Sequence, residues 1–173
     1  FLPFLPLLPK QILLNNFLSD VPSMAVAADS VDHELVERPR RWDIRFIRNF
    51  MLVFGLVSSV FDYLTFGALF FWLRATEREF QTGWFIESLM TELFIVLVMR
   101  TQRPFYRSRP GLLLLATTLV VAGATIILPY TPLGALFGLV PLPPGFVLLV
   151  FGITGAYLMA SELVKRWFFR RFA

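Results

Sequence analysis

Asn15, Asn16 and Asp20 stand in the stretch NNFLSDVP, residues 15–22, inside a segment that is otherwise apolar enough to enter a bilayer. Amide and carboxylate groups are costly in hydrocarbon unless they bind an ion or one another. On a helix Asn16 and Asp20, four residues apart, share a face, whereas Asn15 points about 100° away from Asn16. Pro22 has no backbone N–H and crowds the preceding turn, so local unwinding is expected over residues 20–22, with carbonyl oxygens set free. Carboxylate, carboxamide and carbonyl oxygens together make a hard-cation donor set. Asp20 and Asn16 are therefore the expected metal ligands, and Asn15 is a secondary candidate.

Three further acids fall inside apolar runs. Asp62 has Ser58, Ser59 and Thr65 at helical spacing, which favours a hydrogen-bonded contact between helices, with ion binding as the secondary reading. Glu87 and Glu92, five residues apart, point about 140° apart around a helix, so they do not form an acid and base pair. Glu87 is expected near the outer end of its span, where snorkelling toward water explains it, with a place in the ion path as the secondary reading. Glu92 is expected deeper, beside Ser88 and Thr91, either in an ion path or as a protonated carboxyl bonded to a neighbouring helix. Glu162 precedes Lys165 and Arg166 by three and four residues, the spacing of an interfacial ion pair. His33 is the only histidine and there is no cysteine, so thiolate metal sites, thiol nucleophiles and disulfides are excluded and a zinc site has no ligand set. No catalytic residue and no cofactor-binding motif is found.

The elements that must hold these side chains are transmembrane. Hydrophobic residues make up 57% of the 173, and the mean hydropathy is +0.68, far outside soluble-domain usage. Windows long enough to cross about 30 Å of hydrocarbon are expected five times, near residues 5–28, 50–73, 83–99, 111–128 and 146–163. The chain is thus read as an all-α integral membrane bundle of about five helices. Thirteen Lys and Arg lie on one side of the alternating loops, and only Lys10, Arg74 and Arg78 on the other, which places the segment 29–48, the turn 100–110 and the C-terminus in the cytoplasm. The arginines flank apolar segments and form no single basic face, so the net charge of +4 points to lipid headgroups and not to nucleic acid. An odd number of spans puts residue 1 outside. With a first residue other than Met, this suggests a C-terminal piece of a longer protein. A secretory signal with an A-x-A-like site at residues 25–27 is the weaker alternative, because Lys10, Asn15, Asn16 and Asp20 interrupt its apolar run. Trp42, Trp72, Trp84 and Trp167 are expected near span ends as an aromatic belt. Gly134 and Gly138 form a GxxxG, but Pro129, Pro132 and Pro141 around it favour a turn over a dimer face.

LPLLPKQILLNNFLSD, DSVD, ERPRRWD, GWFIESLMTE and RTQRPFYRSR, in that order over nearly the whole chain, resemble the C-terminal membrane half of P-type cation pumps, and most strongly the magnesium-transporting P-type ATPases. The resemblance implies that residues 1–173 are the C-terminal transmembrane domain, with helices six to ten of a ten-helix transport unit. Asn16 and Asp20 then match the Asn and Asp of the sixth helix that bind the transported ion in related pumps. At the position of Glu92 the family commonly carries a neutral Gln, which favours a structural carboxyl there or a different ion. The loop 29–48, with five acids and five arginines, would meet the cytoplasmic catalytic domains.

The family also needs the phosphorylated aspartate of DKTG, a TGE loop and a nucleotide-binding domain. None of these is in the sequence, so the chain by itself is expected to be inactive, with ATP and its Mg2+ bound only by domains of the parent pump. The expected function is the ion-pathway part of an ATP-driven cation pump of the plasma membrane. Oxygen ligands without Cys or membrane His favour magnesium, calcium or protons over soft metals, and the resemblance favours magnesium. The expected partners are the N-terminal remainder of the pump and the lipid bilayer. Two alternatives differ in class: a stand-alone membrane structural or assembly protein whose buried acids pair helices, and a fragment of a proton-coupled secondary transporter using Glu92 or Asp62 in a relay.

Overall fold

The computed structural model describes residues 2–29, 44–101 and 104–172. His33, Arg40, Arg41, Trp42 and most of the charged 29–48 loop, as well as Arg103, lie outside the described residues.

Helix α1, Pro9–Val26, starts where Pro9 occupies its first turn, a position at which the missing N–H costs nothing and the fixed φ suits the helix. Gln11 Oε1 accepts the Leu8 N–H at 2.9 Å and completes the start. The expected unwinding at residues 20–22 does not occur: α1 is continuous through Asp20, Val21 and Pro22. A proline removes only one intrahelical hydrogen bond, and serine hydroxyls can occupy carbonyls in its vicinity. Here Ser19 Oγ donates to the Asn16 carbonyl at 3.2 Å and Ser23 Oγ to the Ser19 carbonyl at 2.8 Å. Residues 2–8, which the 5–28 window counted in part as helix, form a non-helical lead-in. Phe4 packs its ring edge-on to Phe80 at 5.3 Å.

Helix α2, Ile44–Gly67, continues into a π-helical turn, Ala68–Trp72, and the chain reverses through Arg74 at φ 47°. Helix α3, Glu77–Met99, begins six residues before the expected boundary. Its first turn carries charges that a hydropathy window rejects, but Thr76 and Glu79 form a capping pair: Glu79 Oε2 accepts the Thr76 N–H at 2.9 Å and its hydroxyl at 2.7 Å. Helix α4, Leu112–Ile127, runs into a 3-10 turn, Leu128–Tyr130, and the short helix α5, Pro132–Leu136. Helix α6, Pro144–Phe172, closes the bundle. The GxxxG is a turn, as expected. A Cβ on Gly134 would lie 2.1 Å from the Leu128 carbonyl oxygen, and Gly138 has φ 78°.

Among the described residues four helices are long and apolar enough to cross a membrane: Ile44–Trp72, Glu77–Met99, Leu112–Tyr130 and Pro144–Arg171. Helix α1 is not among them, because Lys10, Gln11, Asn15, Asn16, Ser19, Asp20 and Ser23 dilute its apolar content. The fold is an all-α membrane bundle, with four rather than five helices qualifying by length and composition. Helix α3 is its centre, touching α1, α2, α4 and α6. Half of the apolar window of α3 is buried inside the bundle, against 11% for α2, so α2 presents most of its surface outward. Leu69, Phe80, Phe85, Leu89, Val121 and Val150 form the middle of the core.

Candidate functional site

Helix α1 has two polar faces with different fates. Gln11, Asn15, Ser19, Pro22 and Ala25 recur every three or four residues and are buried against the bundle. Gln11 Nε2 donates to the Phe137 carbonyl at 3.2 Å, tying α1 to the turn after α5. Asn15 Nδ2 donates to Glu92 Oε2 at 3.1 Å, tying α1 to α3. The Asn15 carboxamide oxygen is buried without a partner.

Asn16 and Asp20 occupy the other face, and both are exposed. The sequence separates Asn15 from this pair on geometric grounds, and the structure does the same. Asp20 lines an open cavity of about 530 Å³ with Phe17, Val21, Ser23 and Met24. Ser23, a possible structural partner for Asp20, instead bonds within α1. Among the described residues no three His, Cys, Asp or Glu side chains gather as a metal cluster. What the chain offers here is one carboxylate and one carboxamide on a surface that its own helices leave uncovered.

Glu92, the sixteenth residue of α3, is exposed on the surface of the bundle and accepts from Asn15. Glu87 is elsewhere. It is the eleventh residue of the 23-residue α3 and 1% exposed, about 15 Å along the axis from the helix start. The snorkelling expectation for Glu87 is thus corrected, because the helix begins at Glu77 and not at Gly83. Glu87 faces Thr65 and Asp62 of α2, so Asp62 and Glu87 come together on the opposite side of α3 from Asn15. The six candidate residues therefore fall into three places: Asn16 with Asp20, Asn15 with Glu92, and Glu87 with Asp62.

Two polar assemblies hold the opposite end of the bundle. Asp29, just past α1, accepts from Arg100 Nη1 at 2.7 Å and from the Gly111 N–H at 2.6 Å, and Arg100 Nη2 donates to Ser108 Oγ at 2.9 Å. No sequence spacing reveals this clip, since its parts lie up to 82 residues apart. Glu162 pairs with Lys165 at 2.7 Å and Arg166 at 3.0 Å, as its spacing predicts. Lys165 is fully buried and also donates to the Val98 carbonyl at 2.8 Å, near the end of α3. That pair is also an interhelix anchor, joining α6 to the end of α3.

Four described helices of membrane length and apolarity define a multi-pass membrane protein. Residues 4–167 match the family described as cation transporting ATPase, C-terminus, and the chain belongs to that family, as the C-terminal region of a P-type cation ATPase. It is 37% identical over 177 residues to a protein of Salmonella typhimurium named magnesium-transporting ATPase, P-type 1, and 37% identical over the same length to one of that name from Escherichia coli. The alignments take in 99% of this chain and 20% of each relative. The chain therefore spans about one fifth of the length of the curated relatives it matches.

Proposed function

We propose that residues 1–173 are the C-terminal transmembrane domain of an ATP-driven pump that moves magnesium across the plasma membrane, with Asp20 and Asn16 as its share of the cation ligands. The observation that carries this reading is the uncovered Asn16 and Asp20 face of α1. Two hard-oxygen side chains sit on one stripe of a helix whose opposite face is fully engaged in packing. Mg2+ demands near-octahedral oxygen coordination and retains water, so two side chains supply only part of its shell. The other ligands would come from helices of the pump beyond this chain, packed on that face. The names of the relatives support magnesium as the cargo.

The mechanism follows from a continuous α1. Because the helix is not unwound at Pro22, access to Asp20 would change by tilting or sliding of α1 against the neighbours that complete the site. ATP hydrolysis and its Mg2+ belong to domains outside these residues, and the basic loops and C-terminus would face the cytoplasm. The test is Asp20→Ala and Asp20→Asn in the full-length pump, with cation-stimulated ATP hydrolysis and Mg2+ uptake measured in vesicles. Both variants are expected to fold, and Asp20→Ala to lose cation-stimulated turnover. Turnover with a normal Mg2+ dependence in Asp20→Ala would overturn the assignment.

A further inference from the structure

On the side of α3 away from Asn15, polar groups from three helices converge in the interior. Gly83 of α3 sits so close to the π-helical turn after α2 that a Cβ on it would lie 3.1 Å from Leu69 Cδ2. The helices are antiparallel neighbours in sequence, so one turn further into the membrane Glu87 meets Thr65, with Asp62 next to them. From α6, Tyr157 brings its hydroxyl among Ser58, Ser161, Asp62 and Glu87, its ring 5.5 Å from Phe61. Glu87 is 1% exposed, Thr65 and Ser161 are fully buried, and Tyr157 is 8% exposed. Glu87 Oε2 has no hydrogen-bond partner, and neither does the buried hydroxyl of Thr154, one turn before Tyr157 on the same face of α6.

We infer that the Glu87 carboxyl is a proton-binding site, distinct from the Asn16 and Asp20 face, with Asp62 as the group through which the proton enters and leaves. A carboxylate without a counter-charge is strongly disfavoured in an apolar interior. The titratable groups that face Glu87 are Asp62 from α2 and Tyr157 from α6, and neither is cationic. Helix α4 contains no titratable residue. On α1, Lys10 is bonded to the Leu136 carbonyl at 2.7 Å, away from this cluster, and Asp20 is exposed. Hydrogen-bond direction points the same way. The Thr65 hydroxyl donates to the Phe61 carbonyl at 3.0 Å, so toward Glu87 it offers lone pairs, and a bond between them needs the proton on the carboxyl. A divalent ion would need about six oxygens, more than this packed cluster presents. Asp62 is half-buried and is the less enclosed of the two carboxyls. On protonation an O–H bond forms at Glu87 as the O–H bond of a protonated Asp62 breaks, and the Asp62 carboxylate left behind takes up its next proton from a hydronium ion.

The test is infrared difference spectroscopy on the full-length pump in lipid vesicles at neutral pH, comparing wild type with Glu87→Gln and Asp62→Asn. Wild type is expected to show a protonated-carboxyl C=O band that is lost in Glu87→Gln. In Asp62→Asn the band is expected to persist, with slower deuterium exchange. Thr65→Val, which keeps the shape and removes the acceptor, is expected to shift the band without abolishing it, and it serves if Glu87→Gln does not fold. Absence of the band in wild type, its survival in Glu87→Gln, or an unmoved band in Thr65→Val would each overturn the inference. None of these outcomes bears on Asp20, so the pump reading stands or falls separately.

Discussion

Asp20 and Asp29 lie nine residues apart at one end of α1, yet the fold engages only Asp29. Its two oxygens bind Arg100 at 2.7 Å and the Gly111 N–H at 2.6 Å, with side-chain exposures of 5% for Arg100 and 8% for Asp29. Breaking a buried pair by removing one partner strands the other charge, and typically costs about 3 kcal/mol or more. Asp29→Ala is therefore expected to lower stability by about 3 kcal/mol, and Asp29→Asn by less, since the amide oxygen can still accept from Gly111. Thermal unfolding in detergent micelles checks the order, and equal loss in the two variants would show that the hydrogen bond from Gly111 contributes little beside the ion pair. Asp20 was legible in the sequence because an acid in an apolar run is conspicuous. Asp29 was not, because it sits at the edge of a charged loop and its partners are 71 and 82 residues away. Glu87 was misplaced for a related reason: its depth depends on where α3 begins.

At the scale of elements, the helical windows of the sequence were sound in their centres and wrong at their ends. Helix α3 starts at Glu77 because a capping pair outweighs the charges of its first turn, and α1 survives Pro22 because one missing hydrogen bond is a local loss. Capping and kinking are settled by side-chain geometry, which hydropathy does not carry. The α4–α5 turn was legible, since prolines surround its two glycines and mark it as a reversal. Gly134 is fixed there by sterics. A Cβ would lie 2.1 Å from the Leu128 oxygen and 3.1 Å from the Pro129 Cα, both backbone atoms that no rotamer change can move. Gly134→Ala is expected to cost at least the 1–3 kcal/mol typical of overpacking, so about 2 kcal/mol or more. Gly123→Ala, at a site with nothing within 4 Å of the new Cβ, is the control and is expected to be neutral or slightly stabilising. Comparable unfolding midpoints for the two variants would mean that the turn gives way to the added methyl.

For the molecule as a whole, the charge asymmetry makes a topological prediction that the chain's composition lets one test directly. Helices α2, α3, α4 and α6 each qualify to cross the membrane, so the short connections between them alternate sides. Arg107 and Arg109 lie between α3 and α4, and Arg170 and Arg171 lie in the last turn of α6. The connection between α4 and α6, residues 131–143, contains no Lys or Arg. The excess of basic residues belongs on the cytoplasmic side, which puts residues 104–111 inside and 131–143 outside. With no cysteine in the sequence, Arg107→Cys and Leu133→Cys each introduce a lone thiol at an exposed position, and neither residue faces Asp20 or Glu87. In intact cells a membrane-impermeant maleimide is expected to label Leu133→Cys at once, and Arg107→Cys only after permeabilisation. The reverse pattern would invert the bundle. Labelling of both positions in intact cells would mean that α4 does not span, and the alternation from which the orientation is argued would fail with it.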